Sequence, residues 1–308
     1  MKTEKQFKGV MVPILTPLKP DETVDVASMR RLVNYLIEGG VHGIWAAGTT
    51  GEFAALEDSE RIIAIETVVK EVDGRIPVIA NLSAASTKLV VKLCDLTSDL
   101  EVDGIAATPP YYYPNAQDEV IEHFKHIKAN SDKPLWIYNI PSTVKTIVEP
   151  QVIAKLAKDG IAVGVKDSSG SGEAFAQMKV MCDEVESEFY KFVGSLFRIT
   201  SSRGIGADGV IPGIANLAPE IVSKAWTAGE EGNSEVARIY NEKIFTANRI
   251  TKLATGGGMN AGSFSGMKAA LKKIGIIEHD TVTRPLRPLT TEEQDLINPI
   301  IKEINLSN

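Results

Sequence analysis

The sequence predicts an α/β chain folded as a (β/α)8 barrel of the TIM type with a three-helix C-terminal appendage. Three observations predict it: eight short apolar runs, an amphipathic helical segment between each pair, and three further helical patterns after the eighth run. Near-continuous apolar runs fit strands of a parallel sheet whose faces are covered, and eight βα units are enough to close such a sheet. An open doubly wound sheet is the alternative, but no G-x-G-x-x-G follows the first run.

The strand-like runs are residues 9–16, 43–48, 76–82, 104–108, 135–138, 161–165, 190–193 and 209–214. Helix-start signals stand between them, such as Asp25-Val26-Ala27-Ser28 before Met29 and Asp58-Ser59-Glu60 before Arg61. The last three helical patterns cover residues 234–253, 263–274 and 291–304. The division expected is a catalytic barrel over residues 1–230 and a helical region over 231–308. Clustered glycines in residues 255–262 oppose both helix and strand and predict a mobile loop. A phosphate cradle there would need a following G-K-[ST], which is missing.

Composition narrows the partners. Lys plus Arg number 33 against 40 for Asp plus Glu, a formal charge of -7, which gives no basic footprint for nucleic acid or an anionic membrane. Residues 1–8 lack the apolar stretch of a signal peptide, and no run approaches the ~18 apolar residues of a membrane span. A cytoplasmic protein is expected, with small molecules and other copies of itself as partners. Cys94 and Cys182 fall in helical patterns far apart and read as free buried thiols. Of the histidines His42, His123, His126 and His279, the pair His123 and His126 lies three apart on an outer helix and reads as solvated surface. A zinc site would need at least one more ligand.

Chemistry collects where four runs end. Lys166 closes the apolar run Ile161-Ala162-Val163-Gly164-Val165, and burial disfavours an ammonium ion relative to the neutral amine that can attack a ketone. The alternative is a stem along the barrel with a head that reaches water. The second run leads into Gly48-Thr49-Thr50-Gly51-Glu52, the fourth into Pro109-Pro110-Tyr111-Tyr112-Tyr113, the fifth into Tyr138-Asn139-Ile140-Pro141. Gly-Thr-Thr-Gly is either an ordinary turn or, through its free amides and hydroxyls, a seat for a carboxylate. The tyrosines are either core aromatics or a proton shuttle. Active sites of this barrel form at the carboxyl ends of its strands, and a Schiff-base enzyme needs an amine, a carboxylate clamp and a proton shuttle together.

With these motifs in this order, the chain resembles the dihydrodipicolinate synthase / N-acetylneuraminate lyase family of pyruvate-dependent class I aldolases, over nearly its whole length. The resemblance implies that Lys166 forms the imine with the pyruvate ketone and that Tyr138 is the general acid and base. It implies that Thr49 and Thr50 hold the pyruvate carboxylate, with the Thr49 hydroxyl also in the relay and Gly48 before them a substrate-binding position. Tyr112 resembles the tyrosine that a neighbouring subunit contributes, and Ile211 and Gly213 align with the strand that contacts pyruvate through backbone. A homotetramer built as a dimer of dimers is implied. No cofactor and no metal are, because the protonated imine is itself the electron sink.

The second substrate is read from departures. Synthase members carry an arginine two residues after the proline of the Tyr-Asn-x-Pro motif, and here that place is Thr143, which cannot supply a bidentate charged clamp. Sialic acid lyases place an acidic pair after the seventh-strand glycine, where Gly194-Ser195 is followed here by Leu196 and Phe197. Thr143, Ser195 and the glycine-rich loop are the candidates for shaping the choice. These features leave a lyase that makes or breaks a carbon-carbon bond between pyruvate, or another 2-oxo acid, and an aldehyde. A 2-keto-3-deoxy sugar acid and a hydroxy-oxoglutarate are examples of its 2-oxo acid. A condensation with aspartate semialdehyde, a sugar-acid dehydratase and a non-catalytic 2-oxo-acid-binding protein are the alternatives.

Overall fold

The structure, a computed structural model, describes residues 7–185 and 188–306; residues 1–6, on which the expectation of no signal peptide partly rests, lie outside them. The barrel alternates β1 (Gly9–Pro13), α1 (Val26–Glu38), β2 (Gly43–Ala46), α2 (Asp58–Val72), β3 (Val78–Asn81), α3 (Thr87–Leu96), β4 (Gly104–Ala107) and α4 (Gln117–Ala129). It continues through β5 (Leu135–Asn139), the short α5 (Pro141–Val144), α6 (Pro150–Lys158), β6 (Gly164–Asp167), α7 (Gly172–Asp183), β7 (Tyr190–Val193), β8 (Gly209–Val210) and α8 (Pro219–Glu230). All ladders are parallel, and pairing of Gly9 with Gly209 and Val10 with Val210 closes the sheet into the expected eight-stranded barrel.

The period of two along each strand separates two cores. Val10 and Val12 face the helices and join the large outer core, while Met11 points inward. The interior holds Met11, Trp45, Ile79, Trp136, Tyr138, Phe192 and Ile211. Gly164 must be glycine there, because a Cβ would stand 2.7 Å from the Trp136 ring.

One strand is displaced from its apolar run, and β8 and β1 end before theirs do. β6 starts at Gly164 and carries Lys166 within the ladder, opposite Tyr138 on β5 and Phe192 on β7, where the sequence placed the lysine past the strand end. β8 ends at Val210: Ile211 still donates to the Val193 carbonyl, but Pro212 has no N–H to continue the ladder, and Gly213–Asn216 turns into a 3-10 helix. β1 stops early for a related reason, since the Leu15 N–H is taken by the Asn216 side chain at 2.8 Å.

The C-terminal region contains α9 (Ser234–Asn248), α10 (Met259–Lys273), α11 (Thr291–Asp295) and α12 (Ile297–Glu303). Two expectations are corrected. The glycine-rich segment is a loop only to Gly258: Gly256 and Gly257 take φ of 90° and 85°, and α10 then begins at Met259. The third expected helix is two helices, because the ring of Pro299 opposes continuation past Asp295, four residues earlier.

His123 is a further correction. It is buried, not solvated: its Nδ1 lies 2.9 Å from the Thr87 hydroxyl and its Nε2 3.1 Å from the Thr108 carbonyl, just past β4. A carbonyl only accepts, so Nε2 carries a proton, and in the neutral ring that burial favours, Nδ1 accepts from the Thr87 hydroxyl. His126 is exposed, as expected. Cys94 and Cys182 are free and buried, and burial pushes both thiols up to about 11.

Burial pushes His123 down to about 4. The unfolded chain, with an ordinary value near ~6.5, therefore binds a proton there that the folded chain refuses. Its contribution to stability is complete above pH ~6.5 and falls by up to about 3 kcal/mol as pH drops toward ~4. Denaturant midpoints measured across this window should fall for the wild type relative to His123→Gln, and parallel curves would contradict the assignment.

Candidate active site

The site is built from the rim inward. Lys166 is 3% exposed, and its Nζ lies 4.1 Å from the centre of the Tyr138 ring and 5.3 Å from that of Trp45. Among the described residues it has no carboxylate within ion-pair distance. The pairing of Tyr138 with Lys166 across β5 and β6 is what brings them together, since laterally paired residues point to the same face. Tyr138 is 2% exposed, and its hydroxyl reaches out of the barrel to the Thr49 hydroxyl at 3.1 Å.

Thr49 and Thr50 lie on a turn after β2 that is fixed on two sides. The Glu52 N–H donates to the Thr49 carbonyl at 3.0 Å, and the buried Thr16 hydroxyl donates to the Gly51 carbonyl at 2.8 Å. Thr50 faces the 3-10 turn after β8, with its hydroxyl 3.6 Å from the place a Cβ on Gly213 would occupy. Gly48 is buried at the foot of the turn, and Ile211 packs into the barrel interior. Lys166, Tyr138, Thr49, Thr50, Ile211 and Gly213 thus meet at one end of the barrel.

Sequence reasoning missed the support of this turn. Glu52, in the left-handed region at φ 60°, is 4% exposed and directs its carboxylate away from the barrel axis into the C-terminal region. Lys268 of α10 donates to one oxygen, and the Thr283 N–H and hydroxyl donate to the other at 2.7 and 2.8 Å. Lys268 also donates to the Thr281 carbonyl at 2.7 Å, so both members of a fully buried pair are satisfied. The motif contained Glu52, but Lys268 stands 216 positions away in a helix of small residues and carries no local signal. Behind Lys166, the Asn139 amide donates to Asp167 at 2.7 Å and accepts from the Val148 N–H at 3.0 Å, which ties β6 to the loop after β5. Burial pushes the Asp167 carboxyl up, against hydrogen bonds from Ser169 and Asn139 that lower it.

The second-substrate candidates separate. Thr143 sits on α5 and lines a cavity beside Thr49, with its hydroxyl donated to the Ile140 carbonyl at 3.2 Å. Ser195 instead caps a 3-10 turn by accepting from the Phe197 N–H. Phe197 is 65% exposed and packs on Phe245, and Leu196 packs against the outer core. Of the glycine-rich segment, only Asn260 reaches the cavity wall. Tyr112, at φ 87°, projects from the rim beside Tyr113 and is 74% exposed. Among the described residues no group of three His, Cys, Asp or Glu side chains is placed to hold a metal ion.

An amine able to add to a ketone, beside hydroxyls able to pass protons, is the requirement of a Schiff-base lyase of the class I aldolase type, and that is the class of enzyme this barrel defines. Comparison with known proteins narrows the class. A model of the dihydrodipicolinate synthetase family matches residues 6–304, and the chain belongs to that family. A DapA-like lyase of Halobacterium salinarum is 29% identical over 298 residues, spanning 97% of this chain and 94% of its own. The 4-hydroxy-tetrahydrodipicolinate synthase of Thermotoga neapolitana is 30% identical over 301 residues, spanning 97% and 99%. Among solved structures, dihydrodipicolinate synthase from Bacteroides thetaiotaomicron matches with a TM-score of 0.91 at 29% identity, covering 98% of this chain and 100% of that one.

Breaking the buried pair should be costly. Glu52→Gln and Lys268→Met should each lower stability by about 3–5 kcal/mol, because each strands the partner's charge, while the double variant should lose less than the sum. Urea unfolding of all four proteins reads this, and strict additivity would count against the pairing.

Proposed function

We propose that the protein is a lyase in which the Lys166 amine forms an imine with pyruvate, or with a longer 2-oxo acid that is cleaved to pyruvate and an aldehyde. The observation that carries the reading is Lys166 lodged against the Tyr138 ring, with the Tyr138 hydroxyl bonded to Thr49. In cleavage, the substrate's 4-hydroxyl loses a proton to the Tyr138–Thr49 relay and the C3–C4 bond breaks. Its electron pair enters the imine to give an enamine, and the aldehyde leaves. The enamine takes a proton, and water hydrolyses the imine to release pyruvate and the free amine. The Gly48–Thr50 turn binds the carboxylate, with Ile211 and Gly213 closing the opposite side. Condensation is the same path reversed.

The synthase relatives make condensation with aspartate semialdehyde the second reading. Against it, the place of the expected arginine is held by Thr143, whose hydroxyl is already donated to a carbonyl. On the first reading the working protein is a cytoplasmic homotetramer, a dimer of dimers, in which Tyr112 enters the neighbouring copy's relay. The adjacent exposed rings of Tyr112 and Tyr113 support such a contact.

Pyruvate with borohydride should leave a permanent adduct on the wild-type protein, mapped by peptide mass to Lys166, and none on Lys166→Ala. Tyr138→Phe should retain the amine but lose about 10²–10⁴-fold in kcat. An adduct on another lysine, or none in the wild type, would end the proposal.

A further inference from the structure

We propose that the aldehyde partner carries an apolar body, aromatic or branched aliphatic, which lies in a cavity between the rim turn after β2 and the C-terminal region. This rests on the Lys166 imine reading above. The cavity has a volume of about 330 Å³, within the range of small-molecule sites, and Thr49 forms part of its wall. Thr49 is also the residue bonded to the Tyr138 hydroxyl, so the cavity meets the hydroxyl relay at Thr49, one residue short of the ring against which the Lys166 amine lies.

Its walls are the side chains of Phe53, Tyr111, Val144, Phe264, Pro285 and Leu286, with Phe53 and Tyr111 edge to face at 6.1 Å between ring centres. The polar groups in the wall are mostly engaged with one another. Both Glu52 oxygens are taken by Lys268 and Thr283, the Thr283 hydroxyl is donated to Glu52, and the Thr143 hydroxyl is donated to Ile140. Arg284 is 83% exposed and pairs with Glu22 at 3.3 Å. Among the described residues this leaves Asn260, the Tyr111 hydroxyl and the terminal nitrogens of the exposed Arg284, fewer partners than the several hydroxyls of a polyhydroxylated chain need on leaving water. An apolar body gains from the same walls by leaving water.

The reaction is balanced with no further reactant. The pyruvate enamine carbon bonds the aldehyde carbon, and the carbonyl electron pair moves to the aldehyde oxygen, which takes a proton. Water then hydrolyses the imine, so that pyruvate and RCHO give RCH(OH)CH2COCOO⁻ with all atoms retained.

With pyruvate saturating, kcat/KM for benzaldehyde and isovaleraldehyde should exceed that for glyceraldehyde and glyoxylate by about 100-fold. Phe264→Ser should cut this preference by about tenfold and Phe264→Leu should keep it. If the pyruvate adduct forms on Lys166 but the polar aldehydes react as well or better, the inference is overturned and the imine reading stands. If no adduct forms, the imine reading fails and the inference with it. If Phe264→Ser folds and keeps the full preference, this wall is not the selector. Should that variant not fold, the wild-type panel still decides.

Discussion

The Glu52 carboxylate is the joint on which the site depends. It closes the turn that presents Thr49 and Thr50, yet its partners, Lys268 and Thr283, belong to the region after the barrel. The turn is therefore held between β1, through Thr16, and α10, through Lys268. A barrel alone would leave a buried carboxylate without its cation and two donors, and a charge so stranded either draws in water or moves the loop that carries it. The C-terminal helices thus complete the rim, and their segment from Thr283 to Leu286 becomes one wall of the cavity beside Thr49.

The barrel was legible because its signal repeats. Eight apolar runs and the helices between them report period and burial, which depend on local pattern. Strand ends were less legible because ladder hydrogen bonds, not apolarity, decide them. Residues 14–16 and 211–212 are buried and apolar or nearly so, but Asn216 takes one N–H and Pro212 lacks another. His123 was misread for a similar reason: it shares the inner face of α4 with Val120, Phe124 and Ile127, and only its two partners, 36 and 15 positions away, explain why a polar ring is tolerated there.

For the site, the motif residues were readable because each stands at a strand end. Their support was not. Glu52 to Lys268 and Glu52 to Thr283 span more than 200 positions, and pairs so distant leave no trace in a single sequence. Phe197, which stands where sialic acid lyases place an acidic residue, turns outward against Phe245, while Phe53 and Phe264, which carry no motif, line the cavity beside Thr49.

Two buried lysines in one chain show the difference between holding a fold and doing chemistry. Lys268 is fully buried and engaged by a carboxylate and a carbonyl, so its charge is compensated and its amine has no freedom to react. Lys166 is 3% exposed and faces aromatic rings, with no carboxylate beside it among the described residues. A fold selected for stability alone would replace such a lysine with leucine or methionine, because an unpaired polar head in an apolar interior opposes folding. Its retention opposite Tyr138, with a hydroxyl chain leading to the rim, is a local violation of packing rules of the kind that marks a functional site. An amine beside a chain of hydroxyls is what making and breaking bonds to carbon through an imine requires.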